Sequence, residues 1–187
     1  MKHRTRIDRR LFLGGVAAVA LAGCGEGFGE TVREARAETG ASDEGGITVS
    51  VAEKQAWQLK EAEWRERLTP EQFRVLRKEG TERAGTSPLD REYRTGAFHC
   101  AGCDLPLFTS DMKFDSGTGW PSFTDVIEGA IETKRDFKMI LPRTEYHCAR
   151  CGGHQGHVFN DGPAPTGLRY CNNGVALRFE PGETAEG

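Results

Sequence analysis

Two matched pairs, Cys100-Ala-Gly-Cys103 and Cys148-Ala-Arg-Cys151, hold four of the six cysteines and stand 44 residues apart. Whatever gathers their sulfurs must fold the intervening chain back on itself. Four thiolates in two Cys-x-x-Cys pairs suit one tetrahedral structural Zn²⁺ per chain, because each pair wraps one edge and no position stays open for water. Such a site organises a fold and does no chemistry. An aromatic and a His precede the first ligand of each pair, in Ala97-Phe-His-Cys100 and Glu145-Tyr-His-Cys148, which makes a short local pseudo-repeat. His99 and His147 read as strand residues packed near the metal.

Two competing readings use the same cysteines. Disulfides within the pairs suit an oxidising compartment, but they would close loops too small to constrain the unfolded chain much. Iron in a rubredoxin-like site accepts the same ligands, although 44 intervening residues exceed what a minimal electron-transfer domain needs.

The other two cysteines stand apart. Cys171 lies in Arg169-Tyr-Cys-Asn-Asn173, and Cys24 closes Leu21-Ala-Gly-Cys24. Residues 1–10 carry five Lys/Arg and one Asp, and residues 11–23 are an apolar run too short to span a bilayer comfortably. This is the pattern of an export signal. Arg9-Arg10 before Leu-Phe-Leu resembles the twin-arginine signal, and Leu21–Cys24 resembles the lipobox of bacterial lipoproteins. The expectation is a membrane-anchored, extracytoplasmic lipoprotein with lipid on Cys24. An ordinary signal cut near Ala22 would instead leave a soluble periplasmic form.

Removing residues 1–23 leaves 20 Lys/Arg against 27 Asp/Glu, a formal net of −7. Nucleic acid is excluded as a partner, since its recognition needs a basic face. Residues 24–49 are rich in Gly, Glu, Ala and Ser and read as a flexible tether. Residues 50–187 suit one domain.

Within that domain, residues 53–68 read as a helix with Trp57, Trp64 and Leu68 on related positions. Thr69-Pro-Glu-Gln72 restarts it with a capping box and Pro at the first position, and Gly80 ends it. Short strands follow, among them residues 137–141, 156–159 and 175–179.

Taken in order, Lys113-Phe-Asp-Ser-Gly-Thr-Gly-Trp-Pro-Ser-Phe123, Gly153-His-Gln-Gly-His-Val-Phe159, Asp161-Gly-Pro-Ala-Pro-Thr-Gly-Leu-Arg-Tyr-Cys-Asn-Asn173 and the two Cys pairs resemble the B-type peptide methionine sulfoxide reductases. Leu68-Thr-Pro-Glu-Gln-Phe-Arg-Val-Leu76 and Gly80-Thr-Glu-Arg83 extend the resemblance over about residues 50–180. It implies a mainly β fold of two twisted antiparallel sheets (a β-tent) behind N-terminal helices. It also implies reduction of the R epimer of methionine sulfoxide in peptides and proteins, with thioredoxin-like or other thiol reductants as partners.

The residues suit that chemistry. A thiolate must attack the sulfoxide sulfur while an acid protonates the oxygen, leaving methionine and a cysteine sulfenic acid. Cys171 is the nucleophile and Arg169, two residues before it, favours its thiolate. His157 first, and His154 second, are the acids, as imidazolium ions. Strand geometry alone sets positions three apart on opposite faces, so the glycine-flanked segment must turn if both serve. Trp120, Phe159 and Asp161 are expected at the substrate pocket, Asp161 also to position the histidines or cap its turn, and Asn173 to orient a His or bond the sulfoxide.

Three departures from the family pattern stand out. Thr118 occupies the place where many members have a resolving Cys, while Gln155 for the usual Leu and Gly153 for a frequent Ala are expected to alter the substrate rim. A zinc-ribbon protein that binds an envelope partner without catalysis is the alternative reading; it leaves Arg169–Asn173 and the His pair without a role.

Overall fold

The computed structural model describes residues 46–138 and 141–182. The expected signal in residues 1–23, the expected lipidation at Cys24 and most of the expected tether lie outside them. Ile47 and Val49, at that tether's end, pack on the core, and Ile47 N donates to Glu128 O at 2.7 Å.

Among the described residues nine strands form two antiparallel sheets, as the resemblance implies. The smaller has order β2-β1-β9, from β1 (Gly96–Cys100), β2 (Pro106–Thr109) and β9 (Leu177–Pro181). The larger has order β3-β4-β8-β7-β6-β5. Its strands are β3 (Lys113–Phe114), β4 (Ser122–Phe123), β5 (Ile131–Asp136), β6 (Arg143–Cys148), β7 (His154–Phe159) and β8 (Arg169–Asn172). Between the sheets lies an aromatic core. Phe108 stacks on Phe123 with centroids 3.9 Å apart, and Phe98, Tyr146 and Tyr170 meet them edge-on or tilted. Offset and T-shaped contacts of this kind suit the ring quadrupoles.

Among the described residues three helices precede the strands: α1 (Val51–Ala56), α2 (Glu61–Arg67) and α3 (Pro70–Lys78). The single helix expected over residues 53–68 is therefore broken at Trp57. In a straight helix Trp57 and Trp64 would sit about 10.5 Å apart along the axis; the break lets the rings stack at 5.9 Å. Helix α3 starts as expected, with Thr69 Oγ1 accepting Gln72 N and Gln72 Oε1 accepting Thr69 N. It ends at Glu79, whose left-handed backbone (φ 52°) lets Gly80 N return to Arg74 O at 3.0 Å. Phe73, Val75 and Leu76 on α3 are buried.

Two strand expectations need correction. Phe137 and Leu141 are exposed and lie in the connection between β5 and β6, not in a strand. The true strand, β5, has four exposed residues, Glu-Thr-Lys-Arg, in a row. Its charges protect a sheet edge, so it shows no apolar alternation. Residues 174–176 form a 3₁₀ turn, and β9 starts only at Leu177.

Candidate active site and metal centre

The two Cys pairs close equivalent turns at the ends of β1 and β6. Cys100 N donates to Leu105 O and Cys148 N to Gly153 O, at 2.8 and 2.9 Å. Asp104 N and Gly152 N return to the first cysteine's carbonyl, each from a left-handed backbone (φ 65° and 66°). The pseudo-repeat in the sequence is thus a repeat of backbone hydrogen bonding. Asp104 accepts that strain, and Gly152 avoids it.

All four sulfurs are buried and lie within 4.8 Å of one another. Cys100 Sγ is 3.7 Å from Cys151 Sγ, and Cys103 Sγ is 3.4 Å from Cys148 Sγ. A tetrahedron with Zn–S bonds of about 2.3 Å has edges of about 3.8 Å, whereas a disulfide needs about 2.05 Å. The spacing fits ligands sharing one ion, and all four cysteines are free thiols. Hydrogen bonding to the other three sulfurs, together with burial, pushes the Cys100 thiol well up. Helices α2 and α3 lie against the site, with Arg77 donating to Cys151 O at 2.9 Å and covering the Trp64 ring at 4.6 Å. His99 and His147 are strand residues beside the ligands, as expected; they face Asp104 and Glu132.

The larger sheet sets a second group of side chains in a row. Register pairs Lys134 with Glu145, Glu145 with His157, His157 with Cys171, and Cys171 with Ser122. Directly opposed residues of antiparallel strands share a face. Arg169 is in phase with Cys171, as expected. Gly156, opposite Asn172, is obligatory: a Cβ there would lie 1.9 Å from Cys171 O.

Cys171 lines a pocket of about 120 Å³ with His157, Trp120, Phe159, Thr81 and Arg143. Burial pushes its thiol up, opposed by the Arg169 guanidinium and by hydrogen bonds from Arg169 and Thr118. Thr118 belongs to a hydroxyl chain, since Ser116 Oγ lies 2.8 Å from both Thr118 Oγ1 and Ser122 Oγ. Arg169 is fixed by two 2.8 Å bonds to Asp161 and packs 4.4 Å over the Phe159 ring.

A bulge in β7 brings both histidines together. Tyr146 pairs with Gly156 but His147 with His154, which leaves Gln155 as an extra residue. The two imidazole centroids are consequently 5.5 Å apart. His154 Nδ1 lies 2.9 Å from buried Glu145, and His157 Nε2 lies 2.8 Å from Asp136. Burial pushes both histidines below their ordinary value despite these carboxylates. Burial thus favours the neutral ring in both, against the pull of Glu145 and Asp136 toward the imidazolium.

Four other expectations change. Asp161 binds Arg169 and neither histidine. Asn173 follows β8 and lines the pocket as expected, but its side chain bonds backbone and not a histidine: Oδ1 accepts Glu82 N at 2.9 Å and Nδ2 donates to Gln155 O at 2.8 Å. Gln155 and Gly153 are not rim residues. Gln155 is fully buried, and Gly153 is buried where a Cβ would meet Leu76 and the Cys151 sulfur.

Sequence reasoning missed Asp136, Arg143, Glu145 and Glu82. Glu82 is buried and accepts from Gly174 N and Val175 N at 2.7 and 2.8 Å, while its carbonyl takes Trp120 Nε1 at 3.2 Å. It thereby fixes a pocket wall and the turn after Cys171 together. The only advance sign of it was its place in Gly80-Thr-Glu-Arg83.

The SelR domain family matches residues 68–181 of the chain. A "Peptide methionine sulfoxide reductase MsrB" of Agrobacterium fabrum is 55% identical over 122 residues, covering 65% of this chain and 90% of that one. Its namesake in Pseudomonas putida is 56% identical over 125 residues, 66% of this chain and 93% of that one. A "Peptide methionine sulfoxide reductase B1, chloroplastic" of Arabidopsis thaliana is 51% identical over 133 residues, 70% of this chain and 66% of that one.

Proposed function

The chain belongs to the MsrB family of SelR-domain proteins, and on that premise we propose that it is a peptide-methionine (R)-S-oxide reductase with one structural Zn²⁺. The observation that carries the reading is the direct pairing of Cys171 with His157 at the floor of a pocket walled by Trp120 and Phe159. The zinc is held by Cys100, Cys103, Cys148 and Cys151 and stabilises the fold when bound. The four-sulfur set leaves it no position for substrate.

The proton inventory closes without an external acid. Donating Nε2–H to Asp136 leaves the neutral His157 ring a lone pair on Nδ1, which takes the Cys171 thiol proton. Arg169 and Thr118 hold the thiolate. Oxygen passes from the substrate sulfur to the Cys171 sulfur as two electrons move the other way. The proton returns from His157 to that oxygen, giving methionine and a Cys171 sulfenic acid. Trp120 and Phe159 receive the methyl group and exclude water. One external thiol then forms a mixed disulfide and releases water, and a second restores Cys171. Thioredoxin-like proteins or small thiols are the class of donor. Arg9-Arg10 and Leu21–Cys24 support export and anchoring of the enzyme at the cell envelope; Lys in place of both arginines should leave precursor inside the cell.

The test is a single turnover. One equivalent of R-sulfoxide peptide, without reductant, should yield about one methionine per chain and a Cys171 that reacts with a sulfenic-acid trap. Turnover of the S epimer instead would overturn the assignment. Thr118→Cys should convert the same experiment to an internal disulfide, since Thr118 joins the hydroxyl chain that runs through Ser116 to Ser122, the residue paired with Cys171.

A further inference from the structure

A fully buried glutamine is costly unless its amide is satisfied at both ends. The β7 bulge turns Gln155 away from the histidines into the interior, and both ends find partners. Its Nε2 donates to Cys100 Sγ at 3.3 Å, and its Oε1 accepts from Asn172 Nδ2 at 3.3 Å.

The direction of these bonds is fixed by their neighbours. Asn172 Nδ2 also lies 2.8 Å from Asn173 O, a carbonyl that can only accept. Asn172 Oδ1 is therefore left to accept the Tyr146 hydroxyl at 2.7 Å. Gln155 must then present oxygen to Asn172 and nitrogen to the sulfur. Three donors in series, Tyr146 O–H, Asn172 N–H and Gln155 N–H, all point toward Cys100. Aligned hydrogen bonds polarise one another and favour negative charge at the terminal acceptor. That acceptor is a member of the four-cysteine set, and the middle link is the residue after Cys171.

We propose that Gln155 is a positioning residue that donates a hydrogen bond to the metal-bound Cys100 thiolate and, through Asn172, ties the metal centre to the strand that presents Cys171. This rests on the four cysteines holding a metal. An N–H bond to a thiolate ligand withdraws charge from it, so the ligand's electronic signature reports the bond directly. Partners outside the ligand set are also worth roughly 10–100-fold in metal affinity.

The experiment uses the mature protein loaded with cobalt(II), whose tetrahedral thiolate site absorbs in the visible and shows thiolate-to-metal charge transfer in the near ultraviolet. Gln155→Met fills the space without a donor. It should keep the visible bands, move charge transfer to lower energy, and weaken zinc in chelator competition by roughly tenfold or more. Tyr146→Phe, two links from the sulfur, should move charge transfer the same way by less, a remote effect that packing alone would not give. Alkylation of Cys171 should change rate in both variants. Unchanged charge transfer and unchanged zinc competition in Gln155→Met would overturn the proposal, and so would an unchanged spectrum in Tyr146→Phe should Gln155→Met not fold. A wild-type protein without tetrahedral cobalt bands would remove the metal assignment and this proposal together, a result distinct from the failure of Gln155 alone.

Discussion

At the knuckles four buried sulfurs lie within 4.8 Å of one another, and each backbone feature of one turn recurs in the other. At the pocket one half-buried sulfur depends on side chains from β4, β6, β7 and β8, and from the β5–β6 hairpin, with no internal duplication. Local sequence encodes the first region, because a Cys-x-x-Cys turn specifies its own geometry. Sheet register encodes the second. Cysteine is a ligand where its neighbours are other cysteines, and a nucleophile where they are a guanidinium, a hydroxyl and an imidazole.

The strongest way to break this division is to exchange the defects. Cys148→Ser should lose metal and fold together, since metal binding in such sites is worth on the order of 10 kcal/mol and is folding energy. Cys171→Ser should keep metal content and thermal midpoint while losing turnover. Stoichiometric zinc in a fully stable Cys148→Ser protein, measured by elemental analysis and melting, would mean that the knuckles are not the structural half.

Within the catalytic half, His157→Ala should slow single-turnover sulfoxide reduction by roughly 10²–10⁴-fold, the usual worth of a positioned acid–base group, with little change in KM. His154→Ala should cost less, because His154 meets Glu145 and His157 and is not among the residues that line the Cys171 pocket. Equal losses in the two variants would make the pair a single unit and not a primary and a supporting residue.

The sequence made the knuckles, the α3 cap and the Cys171 motif legible because each is a short pattern with its own physics. It hid what depends on partners far along the chain. Asp136 and Arg143 bracket a hairpin whose strand β5 has no apolar alternation, so nothing marked the carboxylate that holds His157. Gln155 was expected at the rim, yet the extra residue of the bulge turns it to the metal side, and no local pattern in the sequence marks that bulge. Asp161 and the histidines lie close in sequence, yet Arg169, eight residues on, claims its carboxylate.

A smaller effect should separate the two kinds of cysteine by pH. Burial holds the Cys171 thiol above its ordinary value and Arg169 only partly offsets this, so alkylation of the free enzyme should rise with pH through and beyond the usual thiol range of about 8.5. Arg169→Leu should move that rise to still higher pH and slow labelling at pH 7 by roughly three- to tenfold, each pKa unit being tenfold in thiolate. A profile that moves to lower pH would mean that Arg169 does not stabilise the thiolate.

The smallest effect concerns how the pocket is held. Asp136 accepts Lys138 N at 2.9 Å, Arg143 Nη2 at 2.7 Å and His157 Nε2 at 2.8 Å, and these bonds hold its carboxyl well below the usual range. A depressed carboxyl stabilises the fold above its unfolded pKa of about 3.9, and that contribution is lost as pH falls below it. Asp136→Asn should therefore cost about 1–2 kcal/mol at pH 7, the scale of charge-assisted bonds, and progressively less as pH falls toward 3. Acid also protonates the knuckle thiolates, but it does so in wild type and variant alike, so the difference between their urea midpoints isolates the pocket. A gap that stays constant from pH 7 to 3 would show that Asp136 acts by shape and not by charge, and the pocket would then resemble the knuckles more than its register suggests.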